Sequence, residues 1–301
     1  MARRVQRLLR GILMEPLLRG GVWLAGRLSW RAAQRLGAGV GQLARVLSPR
    51  ERRRMAAHLE IAFPEKSPRE RHQLEKRCWR HLGKSAFELL HLRGRPPGEG
   101  SQHVRVTGFE AVEKARAEGR AVVILTGHCG NWELISTANA SHGLGVAAMA
   151  RELDQADVQD FAVDLRRHLG SETIARGSAT ATRQLLRVVR SKGSLVLLID
   201  QDIKEAESVF VPFFGKPAWT PTAATDLALR LGAAVVPTFA ERLEDGSHNL
   251  PFHPALDLPP DVTAATALMT AEIEKQIRRH PEQWVWNHRR WRRQPATTAP
   301  A

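Results

Sequence analysis

Tyrosine is missing from the 301 residues, cysteine occurs twice, and 31 acidic side chains face 45 lysines and arginines. Cys78 and Cys129 are too few for a disulfide framework or a structural zinc site, so the pair points to the reducing side of a membrane. Long uncharged runs are lacking as well. A spanning helix needs about 20 largely uncharged residues, and within the apolar stretch 12–28 the longest uncharged run is Gly20–Gly26, between Arg19 and Arg27. No small-residue cleavage site follows a clean apolar core, which argues against a secretory signal. There is no Gly-x-Ser-x-Gly nucleophile elbow; the residue between glycines is Cys129, in Gly-His-Cys-Gly. The aromatic surface rests on tryptophan and phenylalanine alone, and nothing in the chain's physics accounts for that.

What is abundant is positive charge. A net charge of +14 and a pI near 11 imply a polyanionic neighbour: nucleic acid, an anionic membrane face or an acidic protein. Thirteen arginines precede Glu60, with Glu15 and Glu51 the other carboxylates up to that point. Interleaved with Leu, Val and Trp, they read as helices lying on an anionic lipid surface; a solvated basic helix pair packed on a core is the plainer alternative. Basic residues gather at the two ends and at strand termini, without RNA-recognition or zinc-finger motifs, so no nucleic-acid partner is expected.

Apolar spacing predicts helices from Arg31 to Leu92, broken at Pro64 and Ser67-Pro68, with Ser67 and Glu70 placed for a capping box. The segment 93–102, rich in proline and glycine, reads as a linker between a helical N-terminal region (1–92) and a body (103–301). The body alternates strands and helices: strands at 104–107, 121–126, 145–150, 173–175, 194–199 and 233–239, the last with a hairpin partner near 250–253. This predicts an α/β fold, a mostly parallel central sheet flanked by helices, behind the basic helical N-terminus.

The organising stretch is Val122–Glu133, VVILTGHCGNWE. A buried strand breaks at Thr126-Gly127 and delivers His128 onto a turn, where Asn131 suits a helix N-cap. Open α/β sheets place their chemistry at such strand ends. His128 is suited to move a proton near neutral pH, and Glu133 is the expected carboxylate on its other ring nitrogen. The plainer reading is a hydrogen-bonded turn histidine. Cys129 is conceivable as a nucleophile but more at home as packing. Asp200, Gln201 and Asp202 (in IDQD) end the strand 194–199, where the two carboxylates can orient a substrate, hold a cation or cap the next segment. Arg151 and Arg176 follow other strands on the same rim, as phosphate or oxyanion clamps or as ion-pair partners. Phe210, Phe213, Phe214 and Trp219 either wall an acyl groove or fill the core.

In order and spacing these pieces, from AFPEKSPRER through TGHCGNWE, RELD, ARGSA, IDQD and FVPFFGKPAWT to PEQWVWNHRRW, resemble the bacterial lipid A late acyltransferases of the lysophospholipid acyltransferase superfamily. The resemblance implies acyl transfer from acyl carrier protein to a hydroxyl of a phosphorylated glycolipid, on the cytoplasmic face of the inner membrane, without metal or cofactor. It implies His128 as general base with Glu133 as partner, and Arg151, Arg176 and the IDQD residues lining the acceptor pocket. Backbone N–H groups around Gly130, Asn131 and Trp132 would hold the oxyanion. Two departures stand out. Arginines interrupt the usual hydrophobic anchor, implying peripheral or monotopic attachment, and RELDQ replaces the common Arg-Pro-Leu-Asp-Asn, which bears on the acceptor. Acyl-CoA as donor, with a glycosylated phosphoinositide or lysophospholipid as acceptor, is the alternative within the enzyme class. A silent membrane-surface scaffold is the alternative outside it.

Overall fold

The computed structural model describes residues 2–142, 145–150, 156–204 and 206–295. Four helices come first: α1 (Ala2–Arg27), α2 (Trp30–Leu47), α3 (Pro49–Ala62) and α4 (Pro68–Arg93). Ser67 opens α4 with the capping box expected of it: its hydroxyl accepts from Glu70 N–H, and the Glu70 carboxylate accepts from Ser67 N–H. The body follows as β1 (Val104–Thr107), α5 (Glu110–Ala117), β2 (Val122–Thr126), α6 (Leu134–Ser141), β3 (Val146–Ala150), α7 (Ala156–His168), β4 (Ser171–Ala175), α8 (Ala181–Arg190) and β5 (Ser194–Leu198). It continues through β6 (Ser208–Phe213), β7 (Lys216–Pro221), α9 (Ala223–Leu231), β8 (Ala234–Pro237), β9 (Glu241–Arg242), β10 (His248–Pro251) and α10 (Val262–Arg279).

The central sheet runs β4-β3-β5-β2-β8, and every pairing in it is parallel. Its middle strands are apolar on both faces because both faces are covered. Val123, Leu125, Leu195 and Leu197 enter a core shared with α3, α4, α10 and the C-terminal tryptophans, whereas Val122, Ile124, Val196 and Val236 enter another shared with α5, α6 and the second sheet. At about 1.5–3 kcal/mol for each large side chain removed from water, the two layers fix the register of β2 against β5.

Two strand assignments differ from the sequence reading. The stretch expected near 250–253 as a hairpin partner of 233–239 instead forms β10, which pairs parallel with β1 and antiparallel with β9 in a separate sheet. An isolated bridge, Thr238–Phe252, and a bond from His253 N–H to Pro237 O (2.9 Å) link it back. Strand β7 escaped notice because Pro217 and Pro221 break its pattern; it pairs with β6, Pro212 opposite Pro217, across a two-residue turn at Phe214-Gly215 with φ of 52° and 71°. Positive φ at both central residues matches the right-handed twist of a hairpin, and Phe214 is held in that conformation by its N–H bonded to Glu274 (2.6 Å). Phe213 and Phe214 are buried against Trp284 and Trp286, so these two fill the core.

The N-terminal helices clasp the body tightly. Helix α2 crosses α4 through Gly37, Gly41 and Gly83: a Cβ on Gly83 would lie 2.0 Å from the Gly37 carbonyl, and one on Gly41 would lie 2.1 Å from that of Trp79. Trp30, at the start of α2, donates its indole N–H to Gly246 O (2.7 Å) and stacks on His103. Gly83→Ala should therefore cost about 2–3 kcal/mol in urea unfolding. Gly39→Ala, on α2 with nothing within 4 Å of the new methyl, should be neutral or gain up to about 1 kcal/mol. Equal effects would refute the close crossing.

Candidate active site

Parallel pairing of β2 with β5 places Thr126 beside Leu198, so the segments leaving those strands, Gly127-His128 and Ile199-Asp200, emerge side by side. The carboxylate of Asp200, 1% exposed, accepts three hydrogen bonds there: from His128 N–H (2.7 Å), from His128 Nδ1–H (2.7 Å) and from the indole N–H of Trp284 (2.7 Å). Burial alone would raise the Asp200 pKa; the imidazole and the other donors outweigh it and hold the carboxyl well below the ordinary range. An ionised Asp200 fixes the proton of His128 on Nδ1 and leaves Nε2 as the acceptor. A Cβ at Gly127 would sit 3.0 Å from Asp200 Oδ2 and from Ile273, so only glycine leaves this approach unstrained.

Glu133, the expected partner, is engaged elsewhere. It stands in the turn before α6 and forms a two-pronged ion pair with Arg166 of α7, at 2.7 and 2.9 Å. The reason is topological: the carboxylate delivered by the neighbouring strand reaches the imidazole, whereas the one five residues downstream is carried round the turn toward α7.

A profile described as bacterial lipid A biosynthesis acyltransferase matches residues 7–293. The chain belongs to that family. It is 28% identical over 281 residues to the lipid A biosynthesis lauroyltransferase of Escherichia coli (strain K12), covering 92% of this chain and 90% of that protein. It is 26% identical over 263 residues to the lipid A biosynthesis acyltransferase of Haemophilus influenzae, covering 86% and 80%. It is 26% identical over 189 residues to the phosphatidylinositol mannoside acyltransferase of Mycobacterium tuberculosis, covering 62% and 59% of the two chains.

In this acyltransferase the IDQD residues part company. The side chain of Gln201 puts its amide nitrogen 2.9 Å from His128 Nε2 and 3.2 Å from both ring nitrogens of His288. Asp202 accepts from Arg292 (2.9 Å) and from the backbone N–H of Arg293 (3.1 Å), so it fastens the C-terminal segment. Trp132 stands edge-on to the His128 ring at 4.8 Å and walls the site.

Of the backbone donors expected for the oxyanion, that of Gly130 fits less well. Gly130 N–H is already bonded to Gln283 O (2.7 Å), and its φ of +63° puts a would-be Cβ 1.4 Å from Ala240 O. Asn131 is turned inward and donates its amide to Glu88 (2.9 Å). Cys129 is buried, which pushes its thiol pKa up and removes it as a nucleophile. Arg176 follows β4, three strands from β2, roughly 14 Å away at the usual strand spacing; only a substrate of that span can meet both it and His128. Arg151 lies outside the described residues.

Sequence reasoning missed Trp284 and His288, although both lie in the PEQWVWNHRRW block. Their segment is laced to the His128 turn by Gly130 N–H to Gln283 O, Val285 N–H to His128 O (3.2 Å) and a Cys129–Trp284 bridge. From beneath, the turn is held by a buried cluster. Glu88 of α4 takes two bonds from Arg242 (2.8 Å each) and one from Gln34 of α2 (2.6 Å), while His81 Nε2 meets Gly130 O at 3.2 Å. Burial opposes the charge on Glu88, but Arg242 and His248 keep its pKa well below the usual range.

Burial and the neighbouring His128 lower the His288 pKa to about 3. Because that lies below the ordinary value near 6.5, the unfolded chain gains a proton first as the pH falls. The stability contributed by neutral His288 is full above about pH 6.5 and is lost toward pH 3, by up to about 1.4 kcal/mol per pH unit. His288→Gln should flatten the acid limb of stability against pH, measured by urea unfolding at several pH values; an unchanged limb would refute it. A double-mutant cycle should also find Glu133→Gln coupled to Arg166→Met but additive with His128→Ala. Strong coupling between Glu133 and His128 would restore the pairing read from the sequence.

Proposed function

We propose that this chain moves a fatty acyl group from a thioester on acyl carrier protein to a hydroxyl of a phosphorylated glycolipid, a lipid A precursor, at the cytoplasmic face of the bacterial inner membrane. The observation that carries the reading is the Asp200–His128 pair at the joint end of β2 and β5. With Nδ1–H held by Asp200, Nε2 keeps its lone pair for a proton. The acceptor hydroxyl takes the place now held by the Gln201 amide, and its proton passes to Nε2 as its oxygen attacks the thioester carbonyl. The tetrahedral oxyanion collapses with loss of the C–S bond, and the imidazolium returns the proton to the departing thiolate. Ester, free thiol and neutral histidine remain, so atoms and charge balance.

Asp200 stabilises the imidazolium without taking its proton. The displaced Gln201 amide and the edge of Trp132 lie within reach of the reacting centre, and His288, kept neutral, adds no competing positive charge beside His128. A thioester is already activated, so proton removal and oxyanion stabilisation suffice without metal or cofactor. The acceptor assignment rests on relatives whose names specify lipid A, and the acidic-carrier assignment on the basic surface. Among the described residues no helix is long and apolar enough to cross a membrane, which fits attachment at the surface.

The test is transfer by the purified chain, with acyl carrier protein and CoA thioesters each offered to a lipid A precursor and to a phosphoinositide mannoside. Transfer from the carrier protein to the lipid A precursor is the expected result. His128→Ala and Asp200→Asn should each lower that rate by about 10³-fold or more with folding retained. Undiminished transfer by either variant, or transfer to the phosphoinositide alone, would overturn the reading.

A further inference from the structure

One face of the molecule is unaccounted for by fold or chemistry. Helix α2 buries Ala33, Gly37, Ala38 and Gly41 on one side, yet along the adjoining side it leaves Leu36, Val40, Leu43 and Leu47 exposed, by 38, 42, 59 and 70%. Spacings of four, three and four put these side chains in one stripe, about 16 Å long at 1.5 Å per residue. Val46 widens it at the C-terminal end. The close crossing at Gly37, Gly41 and Gly83 leaves α2 no room to roll, so the stripe is held outward.

The charges on α2 itself have one sign, with Asp245 near Arg31 and Glu51 of α3, paired with Arg54, as the neighbouring acids. Helix α2 contains no carboxylate, and its other outward positions include the exposed Arg31 and Arg35. Past its C-terminal end, Arg50 and Arg53 of α3 are exposed too. Arg45 is used internally, on buried Glu75. An aliphatic stripe with arginines beside it matches the boundary between acyl chains and anionic headgroups: aliphatic groups enter the hydrocarbon edge while guanidinium groups stay at the phosphates.

We propose that α2 docks this protein on an anionic bilayer, lying in the plane of the surface with Leu36, Val40, Leu43 and Leu47 immersed and Arg31 and Arg35 on phosphate groups. A second copy of the chain fits the stripe less well. Twofold pairing of α2 on α2 would set the arginines of both copies together, with no carboxylate on either helix to offset them. The proposal deepens the reading of the substrate as a membrane lipid, but its test does not depend on catalysis.

The experiment is flotation of the full-length chain with vesicles, either mixed phosphatidylethanolamine and phosphatidylglycerol or phosphatidylcholine alone. The wild type should float with the anionic vesicles, less in high salt, and poorly with the neutral ones. Val40→Glu with Leu43→Glu should lower the anionic partition coefficient at least tenfold, and Arg31→Glu with Arg35→Glu should lower it on anionic vesicles only. Leu43→Gln with Leu47→Gln gives the same direction if the glutamates perturb folding. Leu231→Glu with Leu243→Glu, exposed apolar positions elsewhere, should change nothing. His128→Ala should float like the wild type, so a failed acyl-transfer assay leaves this result standing. Flotation of the stripe variants at wild-type level, equal binding to neutral vesicles, or sedimentation showing that the stripe variants convert a dimer to monomers without loss of flotation would each overturn the proposal.

Discussion

A carboxylate buried to 1% exposure is stable as an anion only when donors replace the water it has lost. Asp200 has three, two from His128 and one from Trp284, and each makes a different demand on the fold. The bond from His128 Nδ1 sets the tautomer. The bond from the His128 backbone sets the path of the chain as it leaves β2. The bond from Trp284 requires the C-terminal segment, 84 residues further on, to return to the same point. Removing any donor would leave a buried charge short of a partner, so the C-terminal segment is part of the site's electrostatics even where it touches no substrate.

The turn carrying His128 is fixed from several directions. Gln283 holds Gly130 from the C-terminal side, and Ala240 packs so close to Gly130 that no side chain fits. His81 meets the Gly130 carbonyl and Glu88 the Asn131 amide, both from α4. Glu88 in turn binds Gln34 of α2 and Arg242 of β9. The basic N-terminal helices therefore have a structural part in the site. They supply the buried acid that locks the far side of the turn, and a disturbance at the α2–α4 crossing has a direct route to the geometry of His128.

Much of this was legible from the residues. Strands 121–126 and 194–199 announced themselves as apolar runs, and the alternation of strands with helices gave the parallel sheet. The capping box at Ser67 followed from local spacing. What local spacing cannot supply is register between distant strands. His128 and Glu133 are neighbours in sequence, so their pairing suggested itself; His128 and Asp200 are 72 residues apart and meet only because Thr126 stands opposite Leu198. The same limit hid Trp284 and His288, which have no periodic signal of their own. Strand β7 was masked by its prolines, whose missing N–H groups normally argue against a ladder. The pair Gly37 and Gly41 went unread because a glycine in a helix looks like a weakness until its partner, Gly83, is known to lie against it.

The surplus of positive charge has a consequence that fold alone does not require. Three arginines inside the molecule are matched with carboxylates: Arg242 with Glu88, Arg45 with Glu75, Arg166 with Glu133; the fully buried Arg290 instead donates to Trp219 O and Thr220 Oγ1. The excess accumulates outside, and net charge far from zero raises self-repulsion without adding to the core. The same surface that repels itself attracts acidic proteins and anionic lipids alike. A buried acid, Glu88, braces the His128 turn from inside, beneath a basic exterior, so the two vary independently: an exposed arginine can change without moving His128, whereas Glu88 cannot.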